Sequence, residues 1–357
     1  FADMRGAGIV VTNVPAERMA TRFVRCTVTG AATEQPETSP IMLSTRSGAY
    51  DPVGDIAFVD CTIEDSVERR PLRYVDVVGD IQLTEVTGTL LLKRNGVTER
   101  VALTSDVLDE WIPARKLKHI PRLKLDLGTL TPTAVDPPAA ELQPQPVRQR
   151  LAVTYLLYAL AGDPVSLSFS YDQVGRYGGS KMPVRVTSRT GDIVATATVP
   201  FQKESTVAFR APMTGVYTVT CKPGGNSSVP RRSSHALCLA PSRGCFPLHG
   251  FTGRLYFWVP RGTTEFGVKV SGEGGEAVKA TVFDATGTQV WTEDNITEAC
   301  MFDTVRSATS QGEVWCVELA RPSAAPFEDY FVDLRGVPPI LGFSPQALLQ
   351  PAPVRVP

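Results

Sequence analysis

Two stretches of the chain alternate in the same way, "FVRCTV" at 23–28 and "FVDCTI" at 58–63. A period of two places successive side chains on opposite faces, so each reads as a half-buried β-strand. They belong to a longer pattern. "GIVVTN" (8–13), "PIMLST" (40–45) and "PLRYVD" (71–76) form one series, and "FVRCTV", "IAFVDCTI" (56–63) and "IQLTEVTG" (81–88) form a second. Within the second, Phe23, Phe58 and Leu83 share one slot, and Cys26, Cys61 and Val86 share another. Steps of about 25 to 35 residues suit a stack of coils, each laying one strand on the last, with the excess length in loops. The intervening "GAATEQPETS" (30–39), "RSGAYDPVG" (46–54) and "EDSVERR" (64–70) have turn composition. Stacked strands would bring Cys26 and Cys61 about 4.8 Å apart, in a slot for a small apolar group.

The pattern F-x-x-C-x-V on successive rungs resembles the right-handed parallel β-helix proteins of the pectate-lyase-like group. The resemblance covers about a hundred residues and implies the last coils of such a helix, the repeat ending at "TGTLLLKRNGVTERVALTSD" (87–106). The opening "FADMRGAGIVVTN" runs at once into a strand without a polar leader, so a preceding portion is expected outside this chain. A short capping helix is expected to follow the coils, with Asp106 as N-cap and Asp109 and Glu110 in its first turn. The basic "ARKLKHIPRLK" (114–124) and the Pro-rich "LTPTAVDPPAAELQPQP" (130–146) read as a charged linker and an extended connector.

From residue 147 the chain alternates again and repeats with a period of about 100. "YLLYALAG" (155–162) matches "LYFWVPRG" (255–262), "VSLSF" (165–169) matches "FGVKV" (266–270), and "VTSRTGDIV" (186–194) matches "VFDATGTQV" (282–290). "TGVYTV" (214–219) then matches "QGEVWCV" (311–317). The order predicts two copies of one antiparallel β-sandwich. It resembles the small jelly-roll domains of the pre-peptidase C-terminal type appended to secreted bacterial hydrolases, which implies accessory binding or stabilising modules. The expected fold is therefore all-β: parallel β-helix coils with an end cap over 1–112, a linker over 113–146, sandwiches over 147–249 and 250–345, and a tail over 346–357.

Composition narrows the function. The 357 residues are 43% hydrophobic and 20% charged with a net charge of −1, so neither nucleic acid nor an anionic membrane is expected as partner. "LAVTYLLYALAG" (151–162) is the longest apolar run and is too short to span a bilayer. Seven cysteines without a C-x-x-C and three histidines argue against a zinc site. Cys238/Cys245 and Cys300/Cys316 are close enough in sequence for disulfides, with free buried thiols as the alternative. No metal or other cofactor is expected, apart from structural Ca²⁺ in turns such as "DATG" (284–287).

β-Helix enzymes of the resembled group cut polysaccharides with paired carboxylates or a basic residue. None of the motifs N-x-D, D-D, G-H-G or R-x-K stands at the corresponding positions. Outward positions of the first series are Val10, Thr12, Met42, Ser44, Arg73 and Val75, a poor source of the two carboxyls that glycoside hydrolysis needs. The candidate rim lies in loops: Arg46, Tyr50, Asp51, Asp65, Arg69 and Arg70, either a sugar-binding edge or solvated turns. In "GRLYFWVP", Tyr256 and Trp258 share one strand face opposite Leu255, Phe257 and Val259, and present either a sugar-stacking surface or an interface. "YDQVGRYGGSK" (171–181) is a binding loop or a mobile one, and His249 is expected to be a structural hydrogen-bonder. Sequons occur at Asn226 and Asn295.

The expectation is the C-terminal part of a secreted or cell-surface β-helix protein that binds or processes a polysaccharide or glycoconjugate. If it is an enzyme, a glycoside hydrolase or lyase with its groove largely outside this chain is expected. The alternative is a structural subunit whose partners include other copies of itself.

Overall fold

A computed structural model describes residues 5–12, 21–34, 38–44, 55–75, 82–109, 117–118, 120–133, 144–241, 244–273, 275–297 and 299–351. The chain divides into two compact units, 1–119 with 298–300, and 120–297 with 301–357. Both are almost wholly β.

The first unit contains β1 (Ile9–Thr12), β2 (Thr21–Val24), β3 (Thr27–Val28), β4 (Ile41–Ser44), β5 (Asp55–Asp65), β6 (Leu72–Val75), β7 (Gln82–Arg94), β8 (Val97–Ala102) and helix α1 (Ser105–Asp109). β1, β4 and β6 form a parallel ladder, pairing Ile9 with Ile41 and Ile41 with Leu72. β2, β5 and β7 form a second parallel ladder, and the short β3 also lies on β5. Alternation decides what goes inside. Ile9, Val11, Ile41, Leu43, Ile56, Phe58, Ile63 and Leu72 are buried together, whereas Val10 stands 54% exposed. Each such fully buried aliphatic or aromatic side chain contributes roughly 1.5–3 kcal/mol. Phe23 stacks on Phe58, as the shared slot predicts, with centroids 5.2 Å apart and rings 15° from parallel. Arg25 and Asp60, at the same slot of successive rungs, both have φ of 53°. Each sits immediately before the cysteine, where the strand bends.

The third rung departs from the sequence alignment. Leu83 lies opposite Ile56, not Phe58; Val86 lies opposite Phe58, not Cys61. The pairing is displaced by two residues from its start, Asp55 lying opposite Gln82, and Glu85, with φ of 48°, adds a local bulge that is undone by Cys61. Gly88 then meets Cys61, and a Cβ at Gly88 would stand 1.9 Å from the Cys61 carbonyl oxygen. The cysteine slot therefore ends in a glycine whose backbone approach leaves no space for a side chain. The β7–β8 hairpin turns at Asn95-Gly96, with φ of 49° and 79°, and reverses the strand direction. The helix is capped two residues earlier than expected: Thr104 Oγ1, rather than Asp106, accepts from the Val107 N–H at 3.3 Å, and Leu108 is buried in the core of the first unit.

The second unit begins with β9 (Leu130–Pro132), β10 (Gln149–Ala159), β11 (Pro164–Asp172), β12 (Lys181–Thr187), β13 (Ile193–Pro200), β14 (Glu204–Arg210), β15 (Gly215–Ser233), β16 (Leu237–Ala240) and β17 (Phe246–His249). Then follow β18 (Gly253–Val259), β19 (Glu265–Gly272), β20 (Val278–Phe283), β21 (Gln289–Ile296), β22 (Cys300–Val305), β23 (Glu313–Ala320), β24 (Asp329–Arg335), β25 (Leu341–Gly342) and β26 (Leu349–Pro351). The strand order recurs. β10 lies between β15 and β16 as β18 lies between β23 and β25. β12 lies between β13 and β15 as β20 lies between β21 and β23. β11 lies between β14 and β15 as β19 lies between β22 and β24. The long β15 does the work of two strands, and Gly224, with φ of 66°, sits at the register shift between its halves. Turn glycines recur as well: Gly162 and Gly262 have φ of 91° and 76°, Gly191 and Gly287 of 89° and 82°. Inner faces pack on one another through Tyr155 with Phe169 and through Phe257, Phe266 and Trp315.

The two halves are continuous. β16 pairs with β25, joining both into one 12-stranded sheet, and β17 crosses to pair with β24. Hydrogen bonds thus run across the junction expected at 249/250. The expected linker and tail also take part: β9 pairs with β26, and Leu130 and Leu349 join a buried cluster with Leu156, Val216, Cys238, Ala240 and Ile340.

No disulfide joins any of the seven cysteines. Cys238 and Cys245 do not pair: Cys238 Sγ donates to the Ala347 carbonyl at 2.8 Å, while Cys245 sits where Asp333, Arg122 and Lys269 influence its charge. Cys300 and Cys316 belong to strands of different sheets. Burial pushes the thiols of Cys221, Cys238 and Cys316 up to about 12 and that of Cys245 to about 11.

Candidate binding surfaces

Of the loop rim, Arg46, Tyr50 and Asp51 lie outside the described residues. Asp65 and Arg69 are turned inward. Asp65 is 2% exposed and accepts from Arg69 Nε at 2.8 Å and Nη2 at 3.0 Å, and from the Val67 N–H at 3.1 Å. The remaining guanidinium N–H groups reach the carbonyls of Ala31 at 2.8 Å, Ala32 at 2.9 Å and Thr38. All five donors of Arg69 are thereby used. The ion pair braces the turn after β5 against the backbone at Ala31, Ala32 and Thr38, and it offers neither charge to a ligand. Arg70 alone among the described rim residues is exposed; its carbonyl accepts from Ser39 Oγ at 2.7 Å.

Tyr256 and Trp258 occupy the face of β18 opposite the core, since Leu255, Phe257 and Val259 are buried and the two aromatic residues are half-buried. Cross-strand pairing assembles their surroundings. Tyr256 lies opposite Cys316, which lies opposite Phe283; Trp258 lies opposite Val314. Small residues let the rings lie down: a Cβ at Gly312 would stand 1.9 Å from Trp258 Cζ2, and Gly342 pairs with Tyr256. Arg254 closes one end, bonded to Glu318 at 2.6 Å with its guanidinium 4.5 Å from the Phe283 ring centre. Burial, with the neighbouring Cys316, raises the Tyr256 hydroxyl above its usual range. The result is a shallow, largely apolar strip of three aromatic rings with a polar edge, a shape suited to stacking on a flat partner.

A third place is the glycine-rich loop over 171–181, which the sequence left open as a binding loop or a mobile one. Asn226, 2% exposed, holds residues 172–180 from beneath: its Oδ1 accepts from the Val174 N–H at 3.1 Å, and Nδ2 donates to the Gly178 carbonyl at 3.1 Å and to Tyr171 Oη at 3.3 Å. Gly179 fits so closely that a Cβ would lie 2.6 Å from Phe201 and 2.8 Å from Tyr171 Oη. The loop is pinned on both sides of Tyr177, whose ring rests beside Gly225, with Arg150 5.5 Å from its centre. Arg150 pairs with Asp329, and Asp329 Oδ1 is 2.8 Å from His249 Nδ1. Arg150 and Asp329 carried no sequence signal, because they are 179 residues apart and meet only where the two halves join.

The sequon residues are engaged. Asn226 is buried as described; Asn295 Nδ2 donates to Ser323 Oγ at 2.8 Å, and its Oδ1 accepts from the Ala324 N–H. In the "DATG" turn, Asp284 Oδ1 accepts from Thr286 N–H, Thr286 Oγ1 and Thr288 N–H. Among the described residues, no group of three or more His, Cys, Asp or Glu side chains is placed to hold a metal ion. Among the described residues, no helix is long and apolar enough to cross a membrane. No protein-family model matches the chain, and no curated protein matches it in sequence.

Proposed function

We propose that this chain is a non-catalytic part of a secreted or cell-surface protein and binds polysaccharide through the outward face of its second sandwich-like half. The observation that carries the reading is the strip of Tyr256, Trp258 and Phe283 on strands whose opposite faces form the core. Flat rings at this spacing can meet the C–H faces of sugar rings, and the Arg254–Glu318 pair at one end supplies hydrogen-bonding groups for hydroxyls. In this reading the first hundred residues are coils of a right-handed parallel β-helix. Two parallel ladders sharing one apolar interior support it, and handedness follows the general preference for right-handed parallel crossovers. In this reading the coils serve as a frame: of their ionisable candidates, Asp65 and Arg69 brace loops instead of facing a groove.

The test is co-sedimentation with insoluble polysaccharides. Wild-type protein pellets with at least one of them, and Trp258→Ala reduces the bound fraction by about tenfold or more. Equal pelleting of the variant removes this face from the function.

A structural subunit is the second reading, favoured by the continuous 12-stranded sheet that fuses the halves into one body. It expects defined assemblies of the purified chain in electron micrographs and no glycan dependence. A monomer at high concentration that pellets with polysaccharide counts against it.

A further inference from the structure

Tyr177 is the only aromatic residue more than half exposed among the described residues, at 56%. Exposure of a large ring on a floppy loop would mean little. Here the loop is fixed at Val174 and Gly178 by one buried asparagine, and Gly179 is packed too tightly to move freely. The ring is therefore held in place at little further entropic cost to binding, which is the condition for an aromatic anchor.

Both signs of charge surround it, but among the described residues the part not matched in ion pairs is positive. The nearby carboxylates are already matched: Asp329 by Arg150 and His249, and Asp172 by Arg231 at 3.1 Å. Several cations are not. Arg148 donates only to neutral acceptors, Ser227 Oγ and the Gln173 carbonyl, at 3.1–3.2 Å. Arg176, next to Tyr177, is exposed, as is Lys222, just before the backbone on which the ring rests; among the described residues neither forms an ion pair. A pinned ring flanked by uncompensated positive charge matches a sugar ring that bears an anionic group.

We propose that Tyr177, with Arg176 and Arg148, forms a second binding site that takes an anionic pyranose of an acidic polysaccharide. This rests on the polysaccharide reading above but uses a different surface from Tyr256 and Trp258. The ring supplies the stacking face, and the guanidinium groups supply charge-assisted hydrogen bonds to a carboxylate or sulfate.

The experiment is affinity electrophoresis of the full chain in native gels containing hydroxyethyl cellulose, polygalacturonate or chondroitin sulfate. Wild type, Tyr177→Ala, Tyr177→Phe, Arg176→Ala and Trp258→Ala are compared, with circular dichroism to confirm folding. The proposal expects retardation by an acidic polymer, weakened about tenfold in Tyr177→Ala, preserved in Tyr177→Phe, and reduced in Arg176→Ala with added loss at high salt. The uronate and sulfated gels show which anionic group is accepted. Retardation by acidic polymers that persists in Tyr177→Ala is charge attraction alone and overturns the proposal. Retardation by the neutral polymer only, lost in Trp258→Ala, overturns it while leaving the polysaccharide reading intact. No retardation of wild type in any gel removes both.

Discussion

Asp65 and Arg69 show how a charge pair four residues apart acquires its role from residues far away in sequence. The spacing was legible; the inward direction was not. It is set by the carbonyls of Ala31, Ala32 and Thr38, which a sequence presents only as turn material. Removing one partner of a buried pair strands the other charge, a loss of about 3–5 kcal/mol. Asp65→Ala should lower the urea midpoint of the first unit accordingly, whereas exposed Arg70→Ala should change stability by less than about 0.5 kcal/mol. The thiols give a second test at this scale. Six of the seven are buried, and Cys26 is only partly so. Because burial disfavours the thiolate, a disulfide-exchange reagent at pH 8 should titrate about one thiol in native protein and all seven after unfolding. Rapid native reaction of several would contradict the burial. Glu313 provides a pH test. Its bond to Arg306, opposed by partial burial and aided by Trp315 Nε1–H, holds its pKa below the ordinary 4.5. Its contribution is therefore fully present above pH 4.5 and lost as pH falls through the lower, folded value. The stability gap between wild type and Glu313→Gln, read from urea midpoints, should shrink between pH 7 and pH 3.

Strands were the most legible elements, because period-two alternation follows directly from which face is buried. It placed Phe23 over Phe58, and it placed Tyr256 and Trp258 opposite the core-facing residues of β18. It missed the third rung, since a slip of two residues leaves a period-two alternation unchanged and the local bulge at Glu85 leaves no mark in it. The backbone bend that makes Gly88 necessary is equally silent in a hydrophobic pattern. Gly88→Ala must relieve both a φ of 142° and an approach of 1.9 Å to Cys61 O, so a loss of roughly 2 kcal/mol or more is expected. Gly96→Ala, at a φ of 79° in an open hairpin turn, should lose about 1 kcal/mol. Comparable thermal unfolding of the two variants would show that the Cys61–Gly88 contact is not as close as described.

At the scale of the molecule, four short matches in order within residues 147–345 suggested two copies of one domain, and the matched segments fall on strands whose order recurs. What pattern reading did not reveal is that the halves share hydrogen bonds through β16–β25 and β17–β24, because pairing between strands more than 80 residues apart leaves no local trace. The same junction brings Arg150 to Asp329 and sets Tyr177 beside them. The candidate surfaces are thus products of assembly. Tyr256 and Trp258 were foreseeable as a pair, but the strip they form with Phe283 depends on register across β18, β23 and β20. The central claim is that this strip binds glycans. A glycan array probed with the intact chain and with a Tyr256→Ala/Trp258→Ala variant tests it most directly. A selective set of polysaccharide signals is expected in wild type and is expected to disappear in the folded double variant. An unchanged pattern in that variant, or no signal in wild type, would contradict it.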